Sequence, residues 1–342
     1  MARTSDYASK ADRPPGSLLD CSLLFVTGKG GVGKSTVAAA LALRASQAGK
    51  RVLACEFDAK GDLLASFAGA GARGGRQDRP LGFVPRELLP GMYAMAMDPE
   101  ESLREYLKLQ LRIPLIPKIG ALSAAFDFLA NAAPGIREIV TVGKVAYEVR
   151  EKHYDLVVVD ATATGHIIGQ LRAPQAINEL VGVGLIRSQT NWMLEILGDR
   201  SRTGVVITTT ASELPVTESI ELVDKLRTQT NVNVAGIVVN RLLPEPFVSS
   251  TSQALAKLSG SRQREFQAVV GDAPSALTLI EAGKLAHDLR RREAEQLEVL
   301  RAFTATLGLP EPALIPMLFD AEPGSDTTRQ VSAHLADEWG LP

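Results

Sequence analysis

The chain has 342 residues, 45% of them hydrophobic, a formal net charge of -2 and two cysteines. That length allows about two domains, or one α/β domain with an insertion, and the near-neutral charge supplies no positive field for nucleic acid or an anionic membrane. Cys21 and Cys55 are too few and too far apart for a metal motif, and read as reduced, structural thiols of a cytoplasmic protein.

Residues 1–20 are polar, with Arg13-Pro14-Pro15-Gly16 in the middle and no apolar core for a signal peptide, so they read as a flexible tail. No stretch approaches ~20 apolar residues free of charge, and no membrane-spanning helix is expected. Leu23-Leu24-Phe25-Val26 suits a buried parallel strand, while Val37 to Gln47, rich in Ala and Leu and stopped by Gly49, suits a helix. Between them stands Gly28-Lys29-Gly30-Gly31-Val32-Gly33-Lys34-Ser35-Thr36, which fits the phosphate-loop pattern G-x-x-x-x-G-K-[ST]. In such a loop the glycines let backbone N–H groups surround phosphates, and the helix adds its positive end. Lys34 would reach the terminal phosphates and Ser35 would ligate the bridging Mg²⁺. Lys29 is a second cation that the ordinary pattern does not require.

Arg51 to Asp58 is an apolar run ending in acidic residues, a second strand whose C-terminal end reaches the nucleotide site. Asp58 is the candidate to orient a water for attack on the terminal phosphate. Residues 69–91, rich in Gly, Arg and Pro, read as a surface loop, and Met92 to Met97 as a strand whose methionines pack in the sheet. From Pro99 to Lys152 the pattern turns helical, at about 99–110, 115–130 and 136–151, as expected for a helical insert that packs on itself or leaves a partner groove. Tyr154 to Asp160 is the strongest strand. An acidic residue at its end is the second requirement of a phosphate-loop nucleotidase, making Asp160 the companion of Ser35 in the metal site. Ala161 to His166 is small and polar enough to follow the state of the phosphate; His166 is either a phosphate contact or a plain loop histidine.

Residues 167–199 read as further helices, 204–209 and 234–239 as buried strands around a helix at 215–229. Asn240-Arg241 ends the second of these strands, where a side-chain amide can face a purine edge. Helices follow at 249–270 and 284–306, then an edge strand at 313–318. Arg290-Arg291-Arg292 is followed by Glu293, Glu295 and Glu298 and reads as a solvated mixed-charge face.

On Gly28 to Thr36 the chain resembles the deviant phosphate-loop ATPases, the family of ArsA, the tail-anchored-protein targeting ATPases, MinD and ParA. Asp160-Ala161-Thr162-Ala163-Thr164-Gly165-His166 is similar to the D-T-A-P-T-G-H switch of the ArsA and targeting branch; Pro134-Gly135-Ile136 and Val239-Asn240-Arg241 sit where that branch has P-G-I and V-N-Q. It is more similar still to actinobacterial anion-transporting ATPases of the ArsA type, which are commonly encoded as unlike pairs. The resemblance implies a doubly wound, mainly parallel α/β sheet over residues 21–320, with a helical subdomain from about 99–152 and 167–199 and a C-terminal tail or helix at 321–342. It implies ATP and Mg²⁺ as cofactors, with Gly28, Gly30, Gly31, Val32, Gly33, Lys34, Ser35, Thr36, Asn240 and Arg241 around the nucleotide and Ser35 and Asp160 at the metal. Lys29, Lys34 and Asp58 would be catalytic, Lys29 reaching across a dimer interface to the partner's nucleotide. The partner is a second copy or a paralogous ATPase, and the client a membrane protein or membrane-associated system, met from the cytoplasm or at the membrane periphery. No nucleic acid partner is expected.

Three departures stand out. Asp58-Ala59-Lys60-Gly61 replaces D-P-A-H, Ala163 replaces the switch proline, and there is neither the C-x-x-C of the eukaryotic targeting ATPases' zinc clasp nor a cysteine set for arsenite, so arsenite capture by soft thiolates is not expected. Two other functions stay open: a positioning ATPase of the ParA or MinD kind that binds DNA or membrane, and a weakly active regulatory member of a heterodimeric ATPase.

Overall fold

The computed structural model describes residues 17–58, 60–68, 80–110, 135–180, 185–244, 254, 257–258, 261–271 and 273–342. The apolar runs form strands β1 (Leu23–Gly28), β2 (Val52–Glu56), β4 (Met92–Ala96), β5 (Leu156–Asp160), β6 (Thr203–Thr209) and β7 (Asn233–Leu242). With β3 (Arg86–Leu89) and β8 (Ala313–Pro316) they make an eight-stranded sheet in the order β3-β4-β2-β5-β1-β6-β7-β8. Every described pairing is parallel except β3 with β4.

Full burial of the central strands follows from helices on both faces. Leu23, Phe25, Cys55, Val157, Val159 and Ile207 face one layer, and Leu24, Val26, Ala54, Val158 and Val206 the other, as the two-residue period requires. The second layer holds α1 (Lys34–Gln47), α2 (Asp62–Phe67) and α10 (Ser325–Trp339). The first holds α4 (Ile136–Arg150), α5 (Thr164–Leu180), α6 (Leu185–Gly198), α7 (Glu213–Gln229) and Leu300 of α9 (Ala273–Thr306). α3 (Pro99–Gln110) packs on α4, and α8 (Ser261–Val270) on α9. The chain passes from β1 through α1 to β2 on one side of β1 and from β5 to β6 on the other, so the fold is doubly wound and its switch point lies at the C-terminal end of β1.

Several boundaries differ from expectation. Residues Leu18–Asp20 form a 3₁₀ turn capped by Ser17, with Leu19 buried. The edge strand β3 lies within 69–91, pairing antiparallel with β4 where a loop was expected. The helix expected at 284–306 begins earlier, at Ala273, and that expected at 249–270 is described over Ser261–Val270. The 115–130 helix and Pro134 lie outside the described residues. α4, α5 and α6 share their apolar core with the sheet itself, and Met92, Met95 and Met97 are buried. Among the described residues no helix is long and apolar enough to cross a membrane.

Candidate functional site

The loop between β1 and α1 is shaped by glycines at positions where other residues fail. At Gly28 a Cβ would sit 2.0 Å from the carbonyl oxygen of Thr208, its register neighbour on β6. Gly31 and Gly33 have φ of 84° and 96°, the left-handed region. A Cβ on Gly33 would also lie 2.3 Å from Asn240 Nδ2. α1 then opens on Lys34, Ser35 and Thr36, whose backbone N–H groups lie in the helix's unpaired first turn. Lys34 Nζ folds back and donates to the Lys29 carbonyl at 3.4 Å.

Below the loop lie two carboxylates. Asp160 ends β5, is 6% exposed, and accepts a hydrogen bond from the Ser35 hydroxyl, while its Oδ1 has no partner among the described residues. Burial pushes its carboxyl up to about 6, against the Ser35 hydrogen bond and the Lys34 charge. Glu56 ends β2 opposite Asp160 in parallel register. It is 2% exposed, and burial raises its carboxyl above the usual range, opposed by the N–H groups of Asp62, Leu63 and Gly61. Oxygen donors alone, two of them orphaned, are the set a small hard cation prefers, so Ser35 and Asp160 fit Mg²⁺.

Around this centre the remaining residues separate. Asp58 is exposed and pairs with Lys60 at 3.2 Å. Lys29 Nζ lies 2.8 Å from Glu218 Oε1 on α7 of the same chain, both side chains about one-third exposed. Thr27 Oγ1 donates to the Thr162 carbonyl at 2.8 Å and Thr162 Oγ1 to Gln170 at 3.0 Å, which tie β1 to the 161–166 segment. His166 is exposed in the first turn of α5. Asn240, 6% exposed, donates from Nδ2 to the Val32 carbonyl at 2.9 Å and accepts the Arg241 N–H. Arg241, at φ 59°, donates from its guanidinium to the Gly31 carbonyl at 2.9 Å. Sequence reasoning missed Glu56, Glu218 and this grip of the end of β7 on the loop; the acidic end of the β2 run was the one available signal. Cys21 and Cys55 are buried in opposite layers.

Asn240→Ala is expected to lower stability by about 1–3 kcal/mol in urea unfolding, because it leaves the Val32 carbonyl unpaired, and to weaken nucleotide binding as the loop loosens. Weaker binding with unchanged stability would confine its role to the base.

A family profile described as "Anion-transporting ATPase" matches residues 21–191 and 184–272, more than half of the chain. The chain belongs to the anion-transporting ATPase family. "ATPase BagA" of Mycobacterium tuberculosis is 29% identical over 255 residues, 71% of this chain and 72% of that protein. "ATPase get3" of Schizosaccharomyces japonicus is 33% identical over 160 residues, 46% of this chain and 45% of that protein. "ATPase GET3" of Podospora anserina is 28% identical over 157 residues, 46% and 44% of the two chains. The family is one of nucleotide-driven ATPases, and every site residue named above falls within the matched range. β8 and α10 lie beyond it.

Proposed function

We propose that this chain is a Mg²⁺-dependent ATPase, a dimeric nucleotide-driven switch that couples ATP hydrolysis to a protein client or a membrane transport or targeting system. Asp160 carries the reading. A buried carboxylate hydrogen-bonded by Ser35, with one oxygen unpartnered, is an arrangement whose cost a bound divalent cation offsets. Ser35 and Asp160 would hold that ion, which would supply positive charge against the nucleotide's phosphates. The loop amides and Lys34 bind the chain's own phosphates, and Asp58 turns inward from Lys60 to orient the water. Lys29 leaves Glu218 to stabilise charge on the partner's nucleotide. After its two main-chain bonds Asn240 retains one N–H and one lone pair, enough for a purine edge, with Arg241 beside it. The Thr27–Thr162 bond passes movement of the 161–166 segment to β1.

Phosphate release by the purified chain across nanomolar to micromolar protein, with mass measured in ADP and in a non-hydrolysable ATP analogue, tests this. Expected are hydrolysis that needs Mg²⁺, a specific rate that rises with concentration, and doubling of mass with the ATP analogue. A flat specific rate with the mass of a single chain in both nucleotides sinks the dimer. A second reading, a low-turnover member of an unlike pair, is favoured by the exposed pairing of Asp58 with Lys60; robust hydrolysis by the chain alone dismisses it.

A further inference from the structure

Glu56 and Asp160 close adjacent parallel strands as register partners, so their side chains leave the same face of the sheet. Strand alternation identifies that face. Cys55 and Val159 belong to the layer of α4 to α7, while Ala54 and Val158 belong to the layer of α1, so Glu56 and Asp160 point toward α1, whose first turn carries Ser35. Both are more than nine-tenths buried, and each keeps one carboxylate oxygen, Oε2 and Oδ1, with no partner among the described residues. Two neighbouring buried anions with unmet acceptors are costly unless something positive and oxygen-seeking lies against both. The other Glu56 oxygen is occupied: Oε1 accepts the Asp62 N–H at 3.0 Å, at the start of α2. One side chain therefore joins the carboxylate floor of the site to the helix that begins four residues after Asp58.

We propose that Glu56 is a positioning residue of the divalent-cation site, a second carboxylate beside Asp160 that would hold the ion's water shell while its other oxygen anchors the start of α2, four residues after Asp58. The inference rests on the Mg²⁺-ATPase reading. It adds a carboxylate that neither the phosphate-loop motif nor the strand-end rule for Asp160 identifies. It also links the cation site to α2 through the Asp62 N–H that Glu56 Oε1 accepts.

The alternative is a buried helix cap with no part in ion binding. Glu56→Gln separates the two, since the amide oxygen still accepts from Asp62 while the charge is gone. Binding of a fluorescent ADP analogue to the full chain is measured in EDTA and across a Mg²⁺ titration, with Mn²⁺ EPR of the ADP complex as a second readout. Expected for Glu56→Gln is unchanged affinity in EDTA and a Mg²⁺ midpoint raised ~10–100-fold, the usual cost of removing an outer-shell ligand partner. Asp160→Asn is the reference for a lost direct partner. A midpoint equal to wild type in Glu56→Gln, with Asp160→Asn shifted, overturns the inference and leaves the ATPase reading standing. A wild-type protein whose nucleotide binding ignores Mg²⁺ overturns the reading itself. Should Glu56→Gln fold poorly, Glu56→Asp keeps the charge and shortens the reach; its midpoint is expected between the other two, and a wild-type midpoint there also overturns the inference.

Discussion

Lys29→Ala is expected to lower ATP turnover by ~100–1,000-fold at saturating ATP while nucleotide affinity stays within about threefold. In the proposed function one lysine of the loop, Lys34, serves the chain's own phosphates; it folds back over the loop to the Lys29 carbonyl. The ammonium of Lys29 faces away, 2.8 Å from Glu218. A group acting only on the partner's transition state affects the rate and leaves ground-state binding alone. Charge supplied in trans is worth about 10³–10⁵ when an arginine brings it; a lysine, a point charge without the bidentate fork, belongs at or below the lower end. Mixing decides between cis and trans action. Lys34→Ala chains, unable to hold ATP, still carry Lys29 and are expected to rescue Lys29→Ala chains, whereas no rescue at any ratio places Lys29 on its own nucleotide. The Glu218 pair itself is partly exposed and worth only ~0–1 kcal/mol, too little to hold the lysine against a stronger partner.

In the ion-free protein, Asp160→Asn is expected to raise stability at pH 8 by roughly 2–3 kcal/mol and to have little effect near pH 4. The sign follows from the direction of the shift. Folding lifts the Asp160 carboxyl from 3.8 to about 6, so the folded state holds the proton more tightly than the unfolded chain does. The resulting stabilisation is complete below about pH 4 and lost as pH rises through about 6. Asparagine mimics the protonated form and avoids that loss. Urea unfolding of both proteins in EDTA, from pH 4 to 8, reads the difference; a difference independent of pH refutes the burial cost. With Mg²⁺ and nucleotide added the order is expected to reverse, because wild type alone regains the full ion site.

The phosphate-loop pattern of residues 28 to 36 lies in local spacing, and Gly28, Gly31 and Gly33, where the fold requires glycine, are glycines in the sequence. Buried parallel strands were legible for a similar reason, since helices on both faces leave no room for polar residues and the runs are almost wholly apolar. Contacts across the chain were not. Glu56 becomes the neighbour of Asp160 because β5, about a hundred residues later, inserts between β1 and β2; in sequence it is merely acidic. The partnership of Lys29 with Glu218 spans 189 positions and has no local signal. β3 was hidden because a four-residue edge strand, half exposed, has too little alternation to stand out beside Gly and Arg.

The grip of Asn240 and Arg241 on the carbonyls of Val32 and Gly31 spans more than two hundred positions. During synthesis the phosphate-loop motif leaves the ribosome early, yet the bonds that shape it become available only when β7 has emerged. A nascent chain stalled before residue 240 has the whole motif and none of this bracing, and is expected to bind nucleotide more weakly than the full chain. The shape of a motif near the start of the chain thus depends on one of the last strands of the sheet to be made.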